Sequence, residues 1–170
     1  MVLPCVPDNS VARQILDSCA AVFADNSDDC NKFLKAALLD FLAVGYLDGL
    51  DADGIVDKLQ NPGQGWTRSR DIGTAIARAK SGNLVVAGMT SASLGQHHGH
   101  VAVVVGCDGQ VSGETIVPIG YAGALDNPTA RLDGGRLSGT FAAALVRSEG
   151  LDYYFKAPDR TPDYTSGRKS

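Results

Sequence analysis

The chain lacks an excess of charge of either sign and lacks a long apolar run. Its 170 residues include 15 Lys and Arg against 19 Asp and Glu, which gives a net charge of -4. We therefore expect no binding to nucleic acid or to an anionic membrane, and no insertion into a bilayer. The first residues also lack the charged and apolar regions of a secretory signal, so we expect synthesis in the cytoplasm.

Paired-cysteine motifs are missing as well. The cysteines at positions 5, 19, 30 and 107 have no C-x-x-C spacing, so neither a zinc ribbon nor a thioredoxin motif is expected. Cys5 and Cys19 are close in sequence, and a disulfide between them is one interpretation if the protein reaches an oxidising compartment. Cys19 and Cys107 are interpreted as core cysteines, because free cysteine is among the most buried residue types.

Helical periodicity dominates the first half of the chain. Apolar residues recur at helical spacing after Asn9-Ser10, and a second periodic run begins at Cys30, directly after the polar stretch of residues 25–29. These runs predict two helices, with Cys30 in the first turn of the second and Asp28 or Asp29 as its cap. Shorter helices are predicted over residues 55–59 and 71–80.

The period changes to that of strands after residue 80. Five short segments have strand composition, with Gly, Asp and Ser between them. They are residues 84–87, 100–105, 115–119, 141–146 and 153–155. Helices followed by strands predict an α+β domain in which N-terminal helices pack on an antiparallel sheet. We predict one such domain over residues 1–157 and a flexible C-terminal tail over residues 158–170.

Cys30 is the best candidate for a nucleophile. A thiol reacts as its thiolate, and the first turn of a helix favours that form through its unpaired N–H groups and its positive dipole end. The neighbouring Asp28 and Asp29 have the opposite effect, because nearby carboxylates disfavour an anion. A cationic imidazole would have to outweigh them.

His100 is the best candidate for the base. The only histidines are His97, His98 and His100, and the first two fall in a loop where solvated side chains are expected. His100 follows Gly99 and opens the apolar run Val101-Ala102-Val103-Val104-Val105, which predicts a position at the start of a strand. The glycine lets another backbone or a substrate approach closely. A Cys at a helix start and a later His at a strand start are typical of Cys–His catalysis on papain-like folds.

These two segments resemble the motifs of a known superfamily. Asp29-Cys30-Asn31-Lys32-Phe33-Leu34 resembles the D-C-S-G-F-V nucleophile motif of NlpC-type peptidoglycan peptidases, with Asn-Lys where Ser-Gly is usual. The segment Gly99-His100-Val101-Ala102-Val103-Val104 resembles their base strand. Within this papain-like superfamily the chain is most similar to the amidase effectors of bacterial type VI secretion systems, over roughly residues 28–156.

The resemblance implies a fold, an activity and partners. It implies a papain-like cysteine amidase that hydrolyses a peptide bond next to meso-diaminopimelate in peptidoglycan, with Cys30 as nucleophile and His100 as base. No metal or other cofactor is implied. The implied partners are peptidoglycan peptides, a cognate immunity protein and secretion machinery that delivers this antibacterial toxin to the periplasm of a rival cell. Whether the bond cut lies within a stem or in a cross-link stays open.

The group that orients the histidine is not evident in the sequence. The family usually supplies a polar side chain from the next strand, but that strand here reads Thr115-Ile116-Val117-Pro118-Ile119. Either a backbone carbonyl or a residue from elsewhere takes this role, and Ser112, Glu114 and Asp126 are candidates. The sequence does not separate these possibilities.

Three other functions are alternatives to the amidase. His97, His98 and His100 with Cys107 offer zinc ligands, but adjacent strand residues face opposite sides and the spacing matches no recognised site. A housekeeping or phage-type cell-wall hydrolase, or a non-catalytic binding module of the same fold, are the remaining alternatives. Retention of both Cys30 and His100 favours the enzyme.

Overall fold

Three helices form the first layer of the fold. A computed structural model describes residues 5–162. Each of the three helices begins after a polar residue whose side chain accepts backbone N–H groups of the first turn, as expected of an N-cap. The helices are α1 (Ser10–Asn26) after Asn9, α2 (Cys30–Leu38) after Asp29, and α3 (Ala52–Gln60) after Asp51. The prediction of Cys30 in the first turn of a capped helix is confirmed.

An antiparallel sheet of six strands forms the middle layer, in the order β1-β8-β2-β3-β6-β7. Its strands are β1 (Thr67–Ser69), β2 (Leu84–Met89), β3 (His100–Val104), β6 (Ile119–Ala122), β7 (Leu132–Arg136) and β8 (Asp152–Lys156). The remaining strands, β4 (Gln110–Ser112) and β5 (Thr115–Val117), form a separate hairpin. The start of β3 at His100 is as predicted.

Further helices cover the opposite face of the sheet. They are α4 (Ile72–Lys80), α5 (Ser91–Leu94) and α6 (Ala143–Arg147). The described residues also form three 3-10 turns, which are Pro62–Gln64, Pro128–Ala130 and Leu137–Gly139. Alternation along the strands divides the core into two clusters. Val101 and Val103 pack with α1 to α3, whereas Ala102 and Val104 pack with α4 and α6. The chain is thus a mixed α+β single domain with helices on both faces of its sheet.

Two strand predictions need correction. Residues 141–146 form a turn and helix α6 instead of a strand, although Phe141 and Val146 are buried as strand residues would be. A segment of six residues is too short for its apolar pattern to distinguish a strand from a helix. Residues 115–119 are divided at Pro118 between β5 and β6, because proline has no N–H to donate to a ladder.

The predicted tail begins with residues that are held in place. Asp159 and Arg160 donate backbone N–H groups to the Phe41 carbonyl, and the Arg160 guanidinium donates to the carbonyls of Leu39 and Leu42. The chain is thereby tied to the segment after α2. The rest of the predicted tail, residues 163–170, lies outside the described residues.

The interpretation that Cys5 pairs with Cys19, which the sequence left open, does not hold. Cys5 forms a disulfide with Cys107, which also corrects the interpretation of Cys107 as a free core cysteine. Cys19 is a free and fully buried thiol on α1, as predicted. Helical periodicity places Cys19 in the core cluster that α1 to α3 form on the sheet.

Among the described residues no helix is long and apolar enough to cross a membrane.

Candidate functional site

Cys30 lies at the wall of an open cavity of about 530 Å³. The cavity is bounded by four segments: residues 29–31 at the start of α2, 51–53 at the start of α3, the loop 96–99 before β3, and 124–127 after β6. The starts of α2, α3 and β3 and the end of β6 therefore lie around the cavity. Cys30 itself is half-buried and is one of the residues that line this cavity.

The thiol of Cys30 meets the main chain at the start of β3. The backbone N–H of Val101 donates a hydrogen bond to the sulfur. Strand N–H groups point within the plane of the sheet, so the sulfur lies at that plane, beside the backbone of His100. The pairing of β3 with β6 begins at Val103, so the Val101 amide has no partner on β6 and is left to the thiol.

Close packing at Gly123 places the start of α2 beside the sheet, near the start of β3. A methyl group at Gly123 would collide with the backbone carbonyls of Asp29 and Asn26, so only glycine permits the approach. The neighbouring Ala124 N–H donates to the carbonyl of Ser27 at 3.0 Å. The end of β6 is thus fixed against the α1–α2 connection, and α2 begins at the edge of the sheet.

The pKa of the Cys30 thiol is raised above its usual value. Burial is the main cause, and the Asp29 carboxylate adds to it. The N–H groups of Val101, Asn31 and Cys30 favour the thiolate, but they do not outweigh burial. The thiol is therefore neutral in the resting site and requires a base to become a nucleophile.

The His100 imidazole contacts residues of the second core cluster. Its Nε2 lies 2.6 Å from Thr140 Oγ1, and its ring packs edge-on against Phe141 with centroids 4.8 Å apart. Burial lowers the pKa of His100 to about 4, so the imidazole is neutral at neutral pH. The hydrogen bond at Nε2 leaves Nδ1 as the ring nitrogen without a partner among the described residues.

Asp53 packs closely against the residue before His100. Its carboxylate accepts the backbone N–H of Ser91 at 2.7 Å and the Ser91 hydroxyl. A methyl group at Gly99 would collide with this carboxylate and stand 3.0 Å from the Met89 carbonyl oxygen. The close approach predicted at Gly99 is therefore observed, and Asp53 makes it.

The arrangement of the other histidines and of Cys107 does not support the zinc interpretation. His97 and His98 are exposed on the loop that borders the cavity, as predicted. The sulfur of Cys107 is bonded to Cys5 and offers no thiolate ligand. Within residues 5–162, no group of three or more His, Cys, Asp or Glu side chains is arranged to hold a metal ion.

The three candidates for orienting His100 lie elsewhere. Ser112 donates its hydroxyl proton to Ser138 and accepts from the Arg147 guanidinium, and Glu114 is exposed in the turn between β4 and β5. Asp126 borders the cavity and is exposed. In the part of the chain that the structure describes, His100 is instead bonded to Thr140. No sequence pattern marks Thr140, which comes after a turn 40 residues from His100.

Carboxylates dominate the charge around the cavity. Asp29, Asp51, Asp53 and Asp126 border it, and no Lys or Arg among residues 5–162 does. Three of the four accept backbone N–H groups, since Asp29 and Asp51 cap helices and Asp53 binds Ser91. The site therefore favours a substrate that presents amide and cationic groups over an anionic one.

The chain matches no protein-family model, and no curated protein is significantly similar to it.

Proposed function

We propose that the protein is a cysteine amidase of papain-like fold in which Cys30 is the nucleophile and His100 the base. One observation carries the proposal: the Cys30 thiol opens on a cavity and accepts the Val101 amide, one residue from His100. A buried core cysteine would face apolar side chains only, as Cys19 does. The position at the start of α2 supplies the backbone donors that a thiolate and an oxyanion need.

The mechanism follows from the neutral resting state of both groups. As the Cys30 sulfur attacks the carbonyl carbon of an amide, the thiol proton passes to His100 Nδ1. The backbone N–H of Cys30 faces the oxygen that becomes negative in the tetrahedral intermediate. The imidazolium then gives its proton to the leaving amine, and a thioester on Cys30 remains. Water activated by the same imidazole hydrolyses the thioester and restores the thiol.

The proposed substrate is a peptidoglycan stem peptide or cross-link with an amide bond next to meso-diaminopimelate. The resemblance of the two motif segments to NlpC-type peptidases supports this class. The acidic border of the cavity is consistent with an uncross-linked stem, in which diaminopimelate keeps a free ammonium group that carboxylates attract. On this proposal the chain is an effector carried to the periplasm of a rival cell by secretion machinery, and a cognate immunity protein would block the cavity.

The proposal is tested by digestion of purified peptidoglycan followed by mass spectrometry of the muropeptides. We expect cleavage by the wild type, and a loss of at least about 1000-fold in kcat for Cys30→Ala and for His100→Ala. The double variant should lose no more than either single variant, because the two groups act as a unit. His98→Ala and Cys19→Ala are the matched controls and should keep most activity.

Two reagents distinguish the thiol mechanism from a metal mechanism. Iodoacetamide should abolish activity with a single carbamidomethyl group on Cys30, whereas a strong chelator should leave activity unchanged. A folded Cys30→Ala variant with full activity would contradict the proposal. So would an active protein that loses its activity to the chelator and regains it with zinc.

A further inference from the structure

Thr140 is held rigidly beside His100 by the turn that precedes it. The 3-10 turn Leu137–Gly139 ends at Thr140, whose backbone N–H donates to the Leu137 carbonyl at 3.1 Å. Leu137 is fully buried, and its own N–H donates to the Pro118 carbonyl at 3.0 Å. The turn is thus anchored both in the core and on the chain just before β6. The hydroxyl of Thr140 is therefore fixed relative to the sheet that holds His100.

The hydrogen bond between Thr140 and His100 determines which ring nitrogen can act as a base. A neutral imidazole carries one proton, so one nitrogen donates while the other accepts. When Nε2 carries the proton and donates it to Thr140 Oγ1, Nδ1 has a free lone pair. When the hydroxyl donates to Nε2 instead, the proton is on Nδ1, and that nitrogen is no base. The direction of this bond therefore decides whether His100 can take the thiol proton.

Phe141 restricts the rotation of the His100 imidazole about its Cβ–Cγ bond. Its side chain is buried, and its ring stands at 62° to the imidazole. The imidazole cannot rotate about its Cβ–Cγ bond without losing both the hydrogen bond and this edge contact. Two consecutive residues thus set the rotation of the imidazole and the position of Nε2.

We propose that Thr140 is the positioning residue of the site: it accepts the Nε2 proton of His100 and so leaves Nδ1 unprotonated, available as the base for the Cys30 thiol. The proposal rests on the proposed amidase function. Thr140 takes the role of the polar residue that the family usually has after the base strand, because residues 115–119 supply no partner for His100. A hydroxyl is neutral, so it orients the ring without the charge stabilisation that a carboxylate would add to the imidazolium.

Two measurements test the proposal independently. Nitrogen-15 NMR of the histidine rings gives the tautomer of His100 in the folded protein without any substrate. We expect a protonated Nε2 and an unprotonated Nδ1 at pH 7 in the wild type, and a loss of this preference in Thr140→Val. Muropeptide kinetics should show a fall of about 10-fold to 100-fold in kcat for Thr140→Val with little change in KM.

Matched variants separate positioning from packing. Thr140→Ser keeps the hydroxyl, so it should retain the wild-type tautomer and most of the kcat. Thr67→Val, which removes an exposed strand hydroxyl on β1, should change neither quantity. An Nδ1–H tautomer in the wild type would overturn the proposal, as would a Thr140→Val variant with unchanged tautomer and kcat. If the wild type cleaves no muropeptide, the amidase function fails, whereas the NMR result still decides the role of Thr140.

Discussion

The sulfur atoms of Cys5 and Cys107 are bonded to each other across 102 residues of sequence. The bond joins the segment before α1 to the turn after β3, so it connects the helical layer with the strand that carries His100. Cys107 is buried, and its N–H donates to the Val105 carbonyl at 2.7 Å. The disulfide therefore fixes the end of β3 that lies opposite the candidate site.

Reduction of this disulfide should lower stability. Closing a loop of about 100 residues removes enough entropy from the unfolded chain to contribute about 4–5 kcal/mol. We expect the free energy of unfolding in urea to fall by about this amount in dithiothreitol, and equally in Cys5→Ser without reductant. Thiol titration of the denatured oxidised protein should find two free thiols, those of Cys19 and Cys30. An unchanged urea midpoint after complete reduction would contradict the prediction.

His100 should make the protein less stable in mild acid. Its pKa is about 4 when folded and near the usual value of 6.5 when unfolded, so between these values the unfolded chain binds a proton that the folded protein does not. Stability is therefore present above pH 6.5 and is lost as the pH falls toward 4, by about 2–3 kcal/mol from this group.

Urea unfolding of the wild type and of His100→Gln at pH 7 and pH 4.5 measures this contribution. The wild type should lose more stability than the variant over this interval, because only the wild type has an imidazole to protonate. Equal losses in the two proteins would show that His100 is not shielded from protons in the fold. The comparison with the variant removes the contribution of the carboxylates, which both proteins share.

Gly99 should tolerate no side chain. The methyl group of Gly99→Ala would collide with the Asp53 carboxylate and press on the Met89 carbonyl, so either α3 or the start of β3 must move. We expect a loss of about 1–3 kcal/mol in unfolding free energy and a loss of activity, because His100 follows directly. Gly73→Ala, at a helical site with ordinary contacts, is the control and should be neutral or stabilising.

A double variant tests the cause of the Gly99 effect. Asp53→Ala in the Gly99→Ala background should recover part of the lost stability, since it removes the colliding carboxylate. Purely additive losses in the double variant would indicate that the two residues do not contact each other.

The sequence predicted those parts of the fold and the site that depend on residues close together in the chain. Capping by Asp29, the helical run after Cys30 and the apolar strand after His100 depend on near neighbours, and all three were predicted. The contact of Cys30 with the Val101 amide depends on where β6 ends, which no local pattern encodes. The hydrogen bond between His100 and Thr140 was not predicted for the same reason. The strand prediction for residues 141–146 also gave no indication of the turn that ends at Thr140.

The compartment in which the protein is expressed should determine its effect on the host. Peptidoglycan lies outside the cytoplasmic membrane, and the Cys5–Cys107 disulfide forms and persists in an oxidising compartment such as the periplasm. We expect expression in the cytoplasm of a Gram-negative host to be tolerated and fusion to a periplasmic export signal to cause lysis. The exported Cys30→Ala and His100→Ala variants should be harmless, and exported Cys19→Ala should still lyse the host.

A toxin with an intracellular target would instead kill from the cytoplasm, and a binding module would act weakly and equally in both places. Lysis by the exported Cys30→Ala protein would count decisively against the amidase, because the other free cysteine of the described residues, Cys19, is fully buried.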